Sequence, residues 1–128
     1  MQVPSYAKVN LFLKIGKKLK SGYHNIQSVM QLVQLHDYLN FEPVKENEII
    51  IESNNREIEN KENLAYKAAD LIKSKHKIKL GIRIRVDKNI PISAGLGGGS
   101  SNAAHTLLFL NKIWKLKLSS KKLISYAL

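Results

Sequence analysis

Residues 91 to 101 read Pro91-Ile92-Ser93-Ala94-Gly95-Leu96-Gly97-Gly98-Gly99-Ser100-Ser101, and an apolar helical pattern follows at once. Four of the chain's seven glycines fall inside these eleven positions. Glycine clusters where the backbone must take φ > 0 or approach a ligand closely. A glycine-rich turn that opens a helix aims several unpaired N–H groups at one point, and the helix dipole adds positive potential there. That chemistry suits a phosphate. Two familiar phosphate loops are excluded by spelling. No lysine follows Gly97, Gly98 or Gly99, as Gly-x-x-x-x-Gly-Lys-Ser/Thr would require. Counting Gly-x-Gly-x-x-Gly from Gly95 puts Ser100 in the sixth position. A flexible linker is the remaining alternative, but the segment runs straight into Asn102-Ala103-Ala104, where Ala103, Leu107, Leu110 and Trp114 recur at helical spacing.

The elements that must position this loop are legible on either side of it. Val9, Leu11, Leu13 and Ile15 alternate with Lys8, Asn10, Phe12 and Lys14, the period of a strand. Lys17 to Gly22 is mostly polar and ends in Ser-Gly, a turn signal. From His24 to Leu35 apolar residues occupy both parities, which predicts a strand buried on both sides for part of its length. Leu39, Phe41 and Val44 form a short strand interrupted by Pro43, and Glu48 to Glu52 holds three consecutive isoleucines in another. Ser53 to Lys61 reads as turns. Leu64, Ala68, Leu71 and Ile72 then mark an amphipathic helix, with Glu62 near its start and lysines near its end. Leu80, Ile82, Ile84 and Val86 alternate with Gly81, Arg83, Arg85 and Asp87, a half-buried strand leading into the glycine loop. A last helix starts from Leu118, with Ser119 or Ser120 as its cap. This order predicts an α+β fold with a mostly antiparallel sheet.

Bulk composition narrows the class. The 128 residues suffice for one domain with a single core, 44% are hydrophobic, and no apolar run reaches membrane-spanning length. No signal peptide is visible, and the absence of cysteine removes disulfides and thiolate metal sites, which fits the cytoplasm. The net charge of +11 invites a nucleic-acid reading. Yet only Arg56, Arg83 and Arg85 among the 21 basic residues are arginine, and the lysines are scattered through Ile- and Asn-rich sequence. No recognition helix or RNA-binding sheet signature accompanies them. A polyanionic small substrate suits the charge equally.

Three separated segments resemble one family. Pro4-Ser5-Tyr6-Ala7-Lys8-Val9-Asn10-Leu11-Phe12-Leu13 is similar to the amino-terminal strand of the GHMP kinases, which include galactokinase, homoserine kinase and mevalonate kinase. Ser21-Gly22-Tyr23-His24 narrows the likeness to the branch of 4-diphosphocytidyl-2-C-methyl-D-erythritol kinases of the non-mevalonate isoprenoid pathway. Pro91 to Ser101, continuing to Trp114, resembles that branch's ATP loop and helix, and Glu62-Asn63-Leu64 also fits. The resemblance implies the GHMP amino-terminal domain over residues 1–128, with helices on one face of the sheet. It also implies transfer of the ATP γ-phosphoryl group, with Mg2+, to the 2-hydroxyl of the cytidine-diphosphate methylerythritol substrate.

Roles follow position by position. Lys8 matches the family's catalytic lysine, which stabilises a transferring phosphoryl and lowers the pKa of the attacking hydroxyl. Asn10, two residues on, faces the same side of the strand and is assigned to the acceptor. Tyr23 and His24 match positions that hold the cytosine, one by stacking and one through a base edge. Backbone N–H groups from Gly95 to Ser101 take the phosphates, with the Ser100 and Ser101 hydroxyls adding contacts. Asn63 matches a contact to adenine, although an Asn before a helix also serves as a cap. The family's base is an aspartate in a Gly-Ala-Asp-x-Pro segment beyond the last helix. Asp37, Asp70 and Asp87 are the only aspartates here, and none has that context. The chain therefore corresponds to the amino-terminal part of such a kinase. An alternative is a small basic nucleotide- or RNA-binding module, since the amino-terminal fold is shared with a ribosomal-protein domain.

Overall fold

The computed structural model describes residues 2–127, and in it the alternation at Ile82, Ile84 and Val86 is the fully buried face of a strand. Strands β1 (Gln2–Lys18), β2 (His24–Val44), β3 (Ile49–Ser53) and β4 (Gly81–Asp87) form one sheet in the order β1-β2-β4-β3. β1 and β4 both pair antiparallel with β2, while β3 lies parallel to β4. Parallel neighbours need a crossover, and helix α1 (Leu64–Lys75) supplies it. Helices α2 (Gly98–Ile113) and α3 (Ser120–Ala127) complete the order.

The helices lie on one face of the sheet. Leu39, Phe41, Ile82, Ile84 and Val86 pack there with Ala68, Ala69 and Ile72 of α1, Leu107 and Leu110 of α2 and Leu123 of α3. On the opposite face Arg83 pairs with Glu42 and Glu52, and Arg85 pairs with Glu52. The α+β class and the mostly antiparallel sheet stand as read from the sequence. Ile72 is 0% exposed, and cutting it to Ala removes about 2–5 kcal/mol of transfer and cavity energy. Caps also follow the sequence. The Asn63 side chain accepts the Ala65 N–H at 2.9 Å and starts α1, and Ser119 Oγ accepts the Lys122 N–H at 3.3 Å and starts α3. Lys73 and Lys75 occupy the last turn of α1, where the dipole favours cations.

Two readings are corrected. The segments 24–35 and 39–44 are one continuous strand, β2, and Pro43 does not interrupt it. The pairing of β1 with β2 ends at Gln2 opposite Asn40, so on that side Pro43 has no described neighbour needing its missing N–H. The segment expected to be buried on both sides is instead exposed: Ile26, Val29, Met30 and Leu32 are each more than half exposed. Together with Leu11, Phe12, Leu13 and Ile15 of β1 they form a hairpin that extends beyond the helices. The apolar residues identified a surface in need of cover, and the described helices do not reach it.

Candidate active site

The glycine loop joins β4 to α2 through a run of left-handed backbone. Ser93 has φ 58°, Gly95 φ 73° and Gly97 φ 71°. Gly97 is the residue immediately before α2, and its left-handed conformation turns the chain abruptly into the helix. The first intrahelical bond runs from the Ser101 N–H to the Gly97 carbonyl at 2.9 Å. The N–H groups of Gly98, Gly99 and Ser100 therefore have no carbonyl of their own helix to meet. Three such amides at the positive end of a sixteen-residue helix make an anion site.

Strand β1 carries a cation to the same place. The Lys8 N–H donates to the Leu96 carbonyl at 2.9 Å, so the loop is stitched to the outer edge of β1. The Lys8 Nζ donates to the Gly95 carbonyl at 2.7 Å and to Asn10 Oδ1 at 2.6 Å. Asn10 Nδ2 in turn donates to Ser28 Oγ at 2.6 Å, and that hydroxyl donates to the Phe12 carbonyl at 2.8 Å. The chain Lys8–Asn10–Ser28 fixes the amide's orientation, and with it the ammonium. One turn into α2, Ser101 Oγ accepts from Ser5 Oγ at 2.8 Å, a second tie between β1 and the loop. Ser5 and Ser28 were not singled out from the sequence, because nothing in their spacing distinguishes them from other strand serines.

Asp37 anchors the loop from below. It is 0% exposed, and its carboxylate accepts from Lys88 Nζ (2.7 Å), the Asn89 N–H (2.8 Å), the Ile90 N–H (2.8 Å) and Asn102 Nδ2 (3.0 Å). Burial alone would raise its pKa. The Ile90 amide, the Lys88 ammonium, the Asn89 amide and the Asn102 side chain outweigh that and hold it below the usual carboxylate range. These partners commit Asp37 to structure. Asp70 lies exposed on α1 and Asp87 ends β4. Among the described residues no ion pair involves Lys8.

The remaining residues assigned from the sequence fall in two places. Asn63 lies close to the loop, since its neighbour Leu64 stands 3.3 Å from where a Cβ on Gly99 would be. Its amide caps α1 and also donates to the Ile58 carbonyl at 2.9 Å. Beside it a cavity of about 200 Å³ is lined by Leu64, Lys67, Leu71, Ser100, Ala103 and Tyr126, among others. Tyr23, 77% exposed, and His24 lie at the far turn of the hairpin, where His24 pairs with Lys18. The strand contour from Lys8 to Lys18 is on the order of 30 Å, and the register shifts along β1 bend the hairpin between these two places.

Residues 63–128 match the family model described as the GHMP kinases N terminal domain. The chain belongs to the GHMP kinase family. This GHMP kinase domain is 44% identical over 126 residues to the 4-diphosphocytidyl-2-C-methyl-D-erythritol kinase of Acinetobacter baumannii, covering 98% of this chain and 45% of that protein. The enzyme of the same name from Caldicellulosiruptor bescii is 45% identical over 126 residues, covering 97% of this chain and 44% of that protein. A crystal structure of 4-(cytidine 5'-diphospho)-2C-methyl-D-erythritol kinase superposes with a TM-score of 0.82 at 35% identity, over 99% of this chain and 46% of that one. The Methanococcus jannaschii mevalonate kinase shares the fold, with a TM-score of 0.70 at 19% identity. The GHMP kinase domain thus spans a little less than half the length of these relatives. Among its described residues no helix is long and apolar enough to cross a membrane.

Proposed function

We propose that this domain holds ATP for an alcohol kinase that transfers the γ-phosphoryl group to the 2-hydroxyl of 4-diphosphocytidyl-2-C-methyl-D-erythritol, in the cytoplasm and within isoprenoid precursor synthesis. The carrying observation is that the Lys8 ammonium lies 2.7 Å from a carbonyl of the glycine loop, beside the free amides that open α2. A cation and a set of fixed dipoles then face the same transferring group, and this placement stabilises charge without reorganisation during reaction.

In this reading the amides of Gly98, Gly99 and Ser100 hold the nucleotide phosphates, and Lys8 stands where the γ-phosphoryl group meets the acceptor. Asn10 orients Lys8 and takes the acceptor hydroxyls. The cavity beside Leu64 receives the adenine, and the second hydrogen on Asn63 Nδ2 is available to the base. At the hairpin turn Tyr23 offers an exposed stacking face and His24 a hydrogen-bonding edge for cytosine. Register shifts between Tyr6 and Lys8, Asn10 and Phe12, and Ile15 and Lys18 bend the hairpin between the two ends of the substrate.

ATP fits the geometry because Gly97, at φ 71°, allows the loop backbone to close on Lys8. Mg2+ accompanies the phosphates. Near the loop this chain offers it hydroxyls, those of Ser100 and Ser101, and among the described residues no cluster of three His, Asp or Glu could hold it alone. No carboxylate within residues 2–127 is assigned to take the acceptor proton, and the family resemblance implies that a Gly-Ala-Asp-x-Pro segment supplies it.

The test is calorimetric titration of the chain with ATP, alongside Lys8→Ala and an RNA control across salt concentrations. Saturable ATP binding that weakens in Lys8→Ala supports the reading. RNA binding with a steep salt dependence and no ATP binding would replace it by a basic module.

A further inference from the structure

The loop's ends are held by a buried group that contacts neither Lys8 nor any residue assigned to a ligand. Asp37 sits in the middle of the sheet on β2, yet its four partners all belong to the segment that enters and leaves the loop. Lys88, Asn89 and Ile90 precede Pro91, and Asn102 lies in the first turns of α2. One carboxylate thereby clamps both sides of a turn that contains three residues at positive φ, Ser93, Gly95 and Gly97. Such conformations persist only when their surroundings over-determine them.

The packing is as tight as the polar contacts. The Lys88 side chain is 9% exposed, and its Nζ lies 3.1 Å from where a Cβ on Gly98 would stand. Ile90, 1% exposed, approaches the same point to 3.0 Å. The Lys88 ammonium therefore lies directly beneath the first residue of α2, where the helix dipole repels a cation. Asp37 offsets that repulsion and meets the two backbone amides in one place.

We infer that Asp37, with Lys88 and Asn102, is a positioning residue for the nucleotide loop, fixing the loop in its phosphate-accepting shape before ATP arrives. The inference rests on the reading of the loop as an ATP site. Preorganisation of this kind is expressed in affinity, because a loop that must order on binding spends part of the interaction energy doing so.

Two variants test it without relying on the most disruptive change. Asn102→Ala keeps the Asp37–Lys88 pair and cuts the tie to α2. The double variant Asp37→Asn/Lys88→Met removes both buried charges and retains a side-chain oxygen for the Asn89 and Ile90 amides. ATP affinity is measured by calorimetry, and amide hydrogen exchange is followed by mass spectrometry without ligand. The expected result is a loss of about tenfold in ATP affinity for each variant, the scale of one charge-assisted hydrogen bond. Faster exchange should be confined to peptides spanning 88–101, with the α1 amides unchanged. Variants that are folded by circular dichroism and bind ATP as tightly as the parent overturn the positioning role and leave the ATP site standing. Exchange that rises equally in α1 also overturns it, since Asp37 would then only support the core. A parent chain that binds no ATP sinks the ATP reading and this inference with it.

Discussion

A Cβ added to Gly97 would stand 3.1 Å from Cγ of Lys8. The Lys8 side chain thus leaves no room for a Cβ at a residue whose φ of 71° already excludes most side chains. Gly97→Val is expected to abolish ATP binding measured by calorimetry, with little change in helix content by circular dichroism. The clash falls on the aliphatic stem of Lys8, so the ammonium is displaced along with the turn. Unchanged ATP affinity in the variant would falsify the loop assignment.

Lys8 is predicted to act on the transition state more than on the bound substrates. The rate test uses a chimera joining this chain to the part of the Acinetobacter relative that it does not span. In it, Lys8→Ala should lower kcat by roughly 10²–10³-fold, the scale seen when one preorganised donor is removed. Asn10→Ala should lower it less, because Gly95 still holds the ammonium. A variant that raises KM while sparing kcat would reassign Lys8 to ground-state binding.

Tyr23 is predicted to serve the acceptor alone. In the same chimera Tyr23→Ala should raise KM for the cytidylyl substrate about five- to a hundredfold, as for loss of one stacked base, and leave KM for ATP unchanged. Equal weakening for ATP would show that Tyr23 does not serve the acceptor alone.

Asp37 makes stability depend on pH in a definite direction. Its folded pKa lies below the usual carboxylate value, so the native state binds fewer protons than the unfolded chain just below that value. The contribution is fully present above the ordinary carboxylate pKa and is lost as pH falls through the lower folded one. Urea titrations at a series of acidic pH values should show this decline, and Asp37→Asn should flatten it. At neutral pH that substitution is expected to cost about 3–5 kcal/mol, since it leaves the Lys88 ammonium buried without its counter-ion. A pH profile identical in the two proteins would show that other groups dominate.

The 128 residues by themselves are predicted to bind ATP without transferring phosphate. Asp37 is committed to the loop anchor, and neither Asp70 nor Asp87 pairs with Lys8. A general base typically contributes roughly 10²–10⁴-fold, and lost positioning of the acceptor lowers the rate further. Turnover by the purified chain that disappears in Lys8→Ala would contradict this and direct attention to the three aspartates one at a time.

What could be read in advance depended on whether the signal was local. The half-buried strand at Ile82, Ile84 and Val86, the helix capped by Asn63 and the glycine loop all rest on contacts within a few residues, and each has its expected form. The long hairpin differs from expectation because its apolar residues lie on both parities yet stay exposed. That pattern reports what must be covered, whereas burial depends on which elements reach it. Pro43 is tolerated inside β2 for a related reason, since its fit depends on where β1 stops. Asp37 was legible only as one of three aspartates. A carboxylate between His36 and Tyr38 in an apolar strand hints at a buried partner, but Lys88 and Asn102 lie 51 and 65 residues away along the chain.

The bond from the Lys8 amide to the Leu96 carbonyl has a second consequence. β1 is an outer strand of the sheet, and such a strand offers unpaired amides and carbonyls to any other chain that can lie alongside. At Lys8 that position is already taken by the loop. The segment proposed to hold the nucleotide therefore also stops the sheet from growing sideways at that position. Any change that frees the loop uncovers an adhesive edge, so lesions in ligand binding and losses of solubility should arise at the same residues.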